Sequence, residues 1–177
     1  MLRNARNWLI VLLPFVLAAC AAGTNFVRPD PESVKNGQTK YSQILERFGP
    51  PRREGSIVKN EKNVTTIAYT YASTAGTPRK EGVIPARGLT FLFSDEVLVG
   101  HEFVSSWLAD HTDFDAEKIN QITKGRTTRA DVIALLGKPS GHYIYPLIKA
   151  SPGEAAVYTS AEVMQSGWSL RRLLQGL

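Results

Sequence analysis

The pattern of apolar and polar positions over residues 122–139, ITKGRTTRADVIALLGKP, predicts a short capped helix. Gly125 breaks the preceding segment, and the hydroxyl of Thr127 or Thr128 can accept from the free N–H groups of the first turn. Counted from Thr128, Asp131 stands at the capping-box position, where a carboxylate also suits the positive end of a helix. Val132, Ile133, Leu135 and Leu136 make the apolar face, with Leu135 and Leu136 expected in the core. Gly137 falls where a left-handed C-terminal cap belongs, and Pro139 prevents continuation.

The same pattern occurs 88 positions earlier, without a gap, as VKNGQTKYSQILERFGPP over residues 34–51. Gly37/Gly125, Thr39/Thr127, Gly49/Gly137 and Pro51/Pro139 are identical, and Val34/Ile122, Ile44/Val132, Leu45/Ile133 and Phe48/Leu136 are apolar in both. Thr39 takes the capping place in this copy. One such stretch is a generic helix with good caps; two in phase predict a duplicated unit.

After the first helix, residues 52–63 are polar with scattered apolar positions, and residues 65–71, TTIAYTY, have strand composition. Residues 72–88 hold five glycines or prolines spaced among basic residues and predict a long loop. Residues 89–93 and 97–105 alternate about a turn at residues 94–96, so the first unit is expected to be a helix followed by a three-stranded antiparallel meander. Asp115 can cap a short helix over residues 116–121 that leads into the second copy. There, residues 143–148 are expected to be extended. EAAVYTS at residues 154–160 sits where TTIAYTY sits in the first copy, within one residue. The paired strands have no clear counterpart, and residues 168–175, WSLRRLLQ, predict a basic amphipathic helix. The fold expected is therefore α+β: two related modules over residues 32–109 and 110–177, each with short helices packed on an antiparallel β-meander, the second shortened.

The N-terminus is of another kind. Arg3 and Arg6 precede an apolar run over residues 8–17, shorter than the roughly 20 residues a bilayer span needs. It ends in Leu17-Ala18-Ala19-Cys20, and Cys20 is the only cysteine, so no internal disulfide is available. This motif resembles the lipobox of bacterial lipoproteins. The resemblance implies a signal peptide over residues 1–19, cleaved before Cys20, which then carries a thioether diacylglycerol. Residues 20–31, small, polar and proline-containing, are expected to be the lipidated tether. Ala21 follows the cysteine where an aspartate commonly retains enteric lipoproteins in the inner membrane, which favours the outer membrane. Cleavage removes two of the formal +5 charges and leaves a mildly basic protein, not a nucleic-acid binder. No later stretch is apolar enough for a transmembrane helix.

The pattern I-x-x-G-x-T-T-x-x-D-V-x-x-L-L-G-x-P with strands after it resembles the SmpA/OmlA domain of BamE-like outer-membrane lipoproteins. Here it is carried by Ile122, Gly125, Thr127, Thr128, Asp131, Val132, Leu135, Leu136, Gly137 and Pro139. The resemblance implies a non-catalytic role facing the periplasm: binding envelope proteins, the barrel-assembly machinery among them, with the membrane held through the lipid anchor. It implies no cofactor. The related β-lactamase inhibitor protein family carries a similar unit in tandem and grips an enzyme on a concave sheet, so a tethered inhibitor is the alternative.

Catalytic signatures are sparse. The three histidines, His101, His111 and His142, stand in no metalloprotease, nucleophile-elbow or phosphate-loop motif. Asp110-His111-x-Asp113-x-Asp115 alternates oxygen and imidazole donors, but a polar linker with Asp115 as a helix cap accounts for the same residues, and no metal site is expected. His101 and Glu102 are neighbours on a strand and so face opposite sides of the sheet, which excludes a ready acid/base pair.

Overall fold

The computed structural model describes residues 21–149, 151–164 and the backbone of residues 167–176. The expected signal peptide and Cys20 lie outside these residues. In chain order the elements are β1 (Ala21–Ala22), α1 (Tyr41–Phe48), β2 (Arg53–Lys59), β3 (Lys62–Ser73), β4 (Val83–Ile84), β5 (Ala86–Ser94), β6 (Val97–Ser105), α2 (Arg129–Leu136), β7 (Gly141–Tyr143), β8 (Ala155–Met164) and β9 (Gly167–Gly176), with 3-10 turns at Pro31–Ser33 and Ala116–Gln121. The fold is α+β, with more strand than helix.

Among the described residues the strands form one antiparallel sheet, ordered β1-β3-β5-β6-β7-β8-β4, with β2 also on β3 and β9 on β8. One register row crosses its middle: Ile67 pairs with Phe91, Phe91 with His101, His101 with His142 and His142 with Ala156. Residues in one row share a face, so these five point to one side. On that side Ile44 of α1 packs with Ile67, Tyr69, Leu89, Phe91, Phe93, Leu98 and Phe103. Val132 and Leu136 of α2 pack with Ala156 and Tyr158 on the same side. Both helices therefore lie side by side on one face. The opposite face is partly covered where Ile144, Leu147 and Ile148 fold over Val64, Leu92, Val99, Tyr143, Ala155 and Val157. Elsewhere on it, Thr70 is exposed and Gly88, Thr90 and Val104 are half-buried.

The sheet is larger than the pattern predicted. β2 reads as a polar linker because every one of its residues is exposed. Its backbone nonetheless pairs with β3 from Arg53–Ala68 to Lys59–Lys62, as a charged edge strand. The expected loop over residues 72–88 is shortened from both ends, since β3 runs to Ser73, β5 begins at Ala86 and β4 lies between. The expected helix over residues 168–175 is instead strand β9, paired with β8 from Ala155–Gly176 to Met164–Gly167. Ten consecutive backbone pairs outweigh the local helical spacing of WSLRRLLQ. Residues 143–148 contribute strand only at Tyr143, and the rest cover the sheet.

The N-terminal tether is also more ordered than its composition suggests. Ala21 pairs with Ser73 and Ala22 with Ala72. A Cβ at Gly23 would collide with the Thr70 carbonyl oxygen, so only glycine lets the arm lie this close. Farther along, Phe26 sits edge-on to Phe103, and buried Arg87 donates to Asn25 Oδ1 (3.0 Å) and the Phe26 carbonyl (2.9 Å). Arg87 is itself held by Asp110 at 3.0 Å and lies over the Trp107 ring.

Leu136 is buried and Leu135 half-buried, while Ile133, expected on the apolar face, is 39% exposed. Leu136→Ala should therefore cost about 2–5 kcal/mol, and Ile133→Ala less than about 0.5 kcal/mol. Urea unfolding of the two variants checks this; equal costs would mean that α2 presents a different face to the sheet.

Candidate functional site

The repeated motif residues make the same bonds in both copies. The Thr39 hydroxyl accepts from Lys35 N–H (2.9 Å) and the Thr127 hydroxyl from Thr123 N–H (2.8 Å). Both threonines thus close the turn before the helix, and the N-caps are Lys40 and Thr128. That corrects the expectation that Thr39 caps α1 and settles the choice between Thr127 and Thr128. At the cap the backbone N–H of Lys40 goes to Gln43 Oε1 (2.8 Å) and that of Thr128 to Asp131 Oδ2 (2.9 Å). The Thr128 hydroxyl and amide hold the exposed Asp131 carboxyl below its ordinary range.

At the other helix end Gly49 (φ 75°, ψ −166°) and Gly137 (φ 84°, ψ −165°) occupy a region open essentially to glycine alone. Their carbonyls accept from the hydroxyls of Tyr69 (2.8 Å) and Tyr158 (3.0 Å), which tie each helix end to its strand. Next, Arg52 N–H donates to the Ala68 carbonyl (3.0 Å) and Ser140 N–H to the Val157 carbonyl (2.8 Å). Gly37 and Gly125 also match in conformation, at φ 77° and 75°. These nine residues other than Cys20 are structural. Of them, Pro139 lines the cleft between the helices.

That cleft, of ≈ 360 Å³, opens on the helix side of the sheet between the two helix layers. Its floor is the β6–β7 seam, with His101, Phe103 and His142. Val34, Lys35 and Asn36 wall it from the segment before α1, Arg129 from α2, and Lys138 and Pro139 from the segment after it. Arg28 comes from the docked N-terminal arm, its guanidinium over the Phe103 ring. No local pattern signals this assembly, because strand pairing alone brings His101 and His142 together across 41 positions.

The two imidazoles are 6.1 Å apart and differ in surroundings. His142 Nδ1 lies 3.2 Å from Glu154 Oε1, and Arg129 Nη1 lies 2.8 Å from the other oxygen of that carboxylate. Burial lowers the His142 pKa, and the nearby Glu154 opposes it. Burial pushes His101 down to about 4, helped by His142 and Arg28. His101 is therefore neutral near pH 7. Burial also pulls the Arg28 guanidinium below its ordinary range, partly offset by Asp110. Ser140, the hydroxyl in the cleft, donates to the Val157 carbonyl and accepts from Thr159 N–H, each at 2.8 Å, and so is spent on the sheet. The arrangement can bind and orient; it presents no paired nucleophile and base.

The acidic cluster at residues 110–115 is dispersed. Asp110 pairs with Arg87, Asp113 with Lys80 (3.1 Å), and Asp115 caps the following turn through Glu117 N–H (3.0 Å). Among the described residues no group of His, Cys, Asp or Glu could hold a metal ion. As expected, Glu102 lies on the face away from His101, where its Oε2 accepts from Tyr143 (2.8 Å). No described helix is long and apolar enough to cross a membrane. Comparisons with protein-family models, curated proteins and solved structures give no match.

His101 titrates at about 4 folded against 6.5 unfolded, so between these values the unfolded chain binds more protons. Its contribution is intact above pH 6.5 and is lost as the pH falls toward 4, on the order of 3 kcal/mol at full extent. Replacing His101 with Gln should shrink the difference in unfolding free energy between about pH 7 and pH 4.5 relative to the parent. An unchanged difference would mean that His101 is solvated in the folded state.

Proposed function

We propose that this chain is a lipid-anchored binding or scaffold module, without catalytic activity, that faces the periplasm from the outer membrane and serves envelope or outer-membrane protein biogenesis. It consists of two tandem modules of the SmpA/OmlA type, fused edge to edge in one sheet. The observation that carries this reading is the duplicated bonding: the same threonine turn, the same positive-φ glycine and the same tyrosine-to-glycine carbonyl bond, 88 residues apart at the helix and 89 at the tyrosine. Strand registers agree too, since Arg53 pairs with Ala68 as Gly141 pairs with Val157. On this correspondence β7, β8 and β9 match β2, β3 and β5, and β6 has no counterpart among the described residues of the second, shorter module.

The anchor reading rests on Leu17-Ala18-Ala19-Cys20. Cys20 is one peptide bond from Ala21, which pairs with Ser73, so acyl chains on Cys20 hold that end of the sheet toward the membrane. Several chains, at roughly 0.8 kcal/mol per buried methylene, anchor it stably. Cys20→Ser should abolish labelling by a fatty-acid probe and leave an unprocessed precursor; equal label on both proteins would sink the anchor. Affinity capture from detergent-solubilised envelope should bring down barrel-assembly subunits or other envelope lipoproteins.

One observation favours a second reading, a tethered inhibitor. The sheet face away from the helices offers a surface of small residues at Thr70, Gly88, Thr90 and Val104, open enough for a partner to approach the backbone. On that reading, capture yields one soluble enzyme, which the purified protein silences at a one-to-one ratio. A Thr90→Arg substitution would then relieve the inhibition, whereas scaffold partners held elsewhere would remain bound.

A further inference from the structure

The cleft on the β6–β7 seam collects unfinished polar chemistry. Arg28 Nε, Asn36 Oδ1 and His101 Nδ1 are all shielded from solvent, find no hydrogen-bond partner within the protein, and belong to residues that line this same cleft. Shielded polar atoms are ordinarily satisfied, and leaving one unpaired is costly, so three converging on one space point to a bound group.

The charges state its sign. Arg28, Lys35, Arg129 and Lys138 face the space against the single carboxylate of Glu154. Lys35 is engaged by Glu32 and Arg129 by Glu154, each at 2.8 Å. Among the described residues neither Arg28 nor Lys138 has a carboxylate at ion-pair distance, so both are available to an anion.

The acceptor restricts it further. Asn36 Nδ2 donates to the His142 carbonyl (3.0 Å), which fixes the amide orientation and leaves Oδ1 as an acceptor without a partner. A bare anion satisfies Arg28 but not Asn36; the ligand must also bring an N–H or O–H. Of the backbone donors at the cleft, Lys35 N–H is used by the Thr39 hydroxyl, Ser140 N–H by Val157 and Ile144 N–H by Val99. A planar guanidinium and an ammonium suit a carboxylate. Pro29, Pro31, Val34 and Pro139 supply apolar walls for an aliphatic stem.

We propose that this cleft is a binding site for a peptide carboxylate together with its neighbouring amide N–H. The carboxylate lies against Arg28 and Lys138, and the amide donates to Asn36. The site exists only where the N-terminal arm and both helix-bearing halves meet, so its occupant joins three parts of the chain. This does not depend on the lipid anchor or on the nature of the protein partner.

The histidines supply the readout. His101 and His142 line the cleft while His111 lies outside it and is exposed, which makes it an internal control. The mature chain in detergent micelles, with histidine rings labelled, is titrated with N-acetylglycine, a chain-terminal carboxylate, and with the N-methylamide of N-acetylaspartate, a side-chain carboxylate. Saturable shifts of the His101 and His142 rings, with His111 unmoved, support the site, and the tighter of the two probes tells which kind of carboxylate it takes. N-acetylglycinamide, which keeps the N–H and lacks the charge, should leave the rings unmoved. Arg28→Gln and Lys138→Gln should each weaken binding about tenfold without changing the parent spectrum of His111. The proposal is overturned if neither carboxylate saturates, if the amide binds equally well, if inorganic phosphate saturates and the carboxylates do not, or if both variants bind like the parent.

Discussion

The pairing of β6 with β7 is the contact on which the rest of this structure depends. It is short: Gly100, His101 and Glu102 against Tyr143, His142 and Gly141. Three register positions here, with two more where β4 pairs with β8, join two helix-bearing halves into one sheet. Two glycines make it possible. A Cβ at Gly141 would strike the His101 carbonyl oxygen, and one at Gly100 would meet the Tyr143 ring and Leu147. The Tyr143 hydroxyl then bonds Glu102 across the seam on one face, while the two histidines meet on the other. Without this pairing each half would present an open strand edge to water, and edges of that kind invite association. With it, the exposed edge on the first half is β2, whose residues include Arg53, Glu54 and Lys59 at its ends.

The seam also accounts for the cleft. Two helices on the same face of one sheet cannot close over its middle, because each packs on its own strands: α1 over β3, β5 and β6, α2 over β8. What remains between them is a valley whose floor is the junction itself. His101 is half-buried there, with Phe91 and Phe103 flanking its position and the arm bearing Arg28 at the same cleft. The neutral imidazole is thus a consequence of sheet assembly, and the cationic rim follows from what the two halves and the arm bring to the valley.

How much of this was legible in the sequence follows from the range of each interaction. The two helices and most of their ends were, because capping and the Gly-Pro stop are local: Thr128 with Asp131, Gly137 with Pro139, though Lys40 and not Thr39 caps α1. The strands β3, β5 and β6 were, because they are rich in β-branched and aromatic residues and Leu89, Phe91 and Phe93 alternate along β5. β2 was not, since an edge strand with both faces in water shows no alternation. β9 was misassigned as helix, because the partner that makes it a strand is β8 and not its own side-chain spacing. The cleft was invisible for the same reason. Its chemistry belongs to residues from Arg28 to Glu154 that only the β6–β7 pairing brings together.

The N-terminal arm shows how a sequence of tether composition becomes structure. Residues 21–29 contain few large apolar side chains, and by composition alone they would remain a linker. What orders them is supplied from elsewhere: free hydrogen-bonding edge at the end of β3, the side of the Phe103 ring, and a buried guanidinium at Arg87 that lacks enough partners within the sheet. Removing one side of a buried ion pair leaves the other uncompensated, so Arg87 and Asp110 are obliged to stay together. The remaining guanidinium donor then recruits the arm. That places Arg28 over Phe103 and completes the cleft, so one buried charge ties the chain's start to the wall of the cleft.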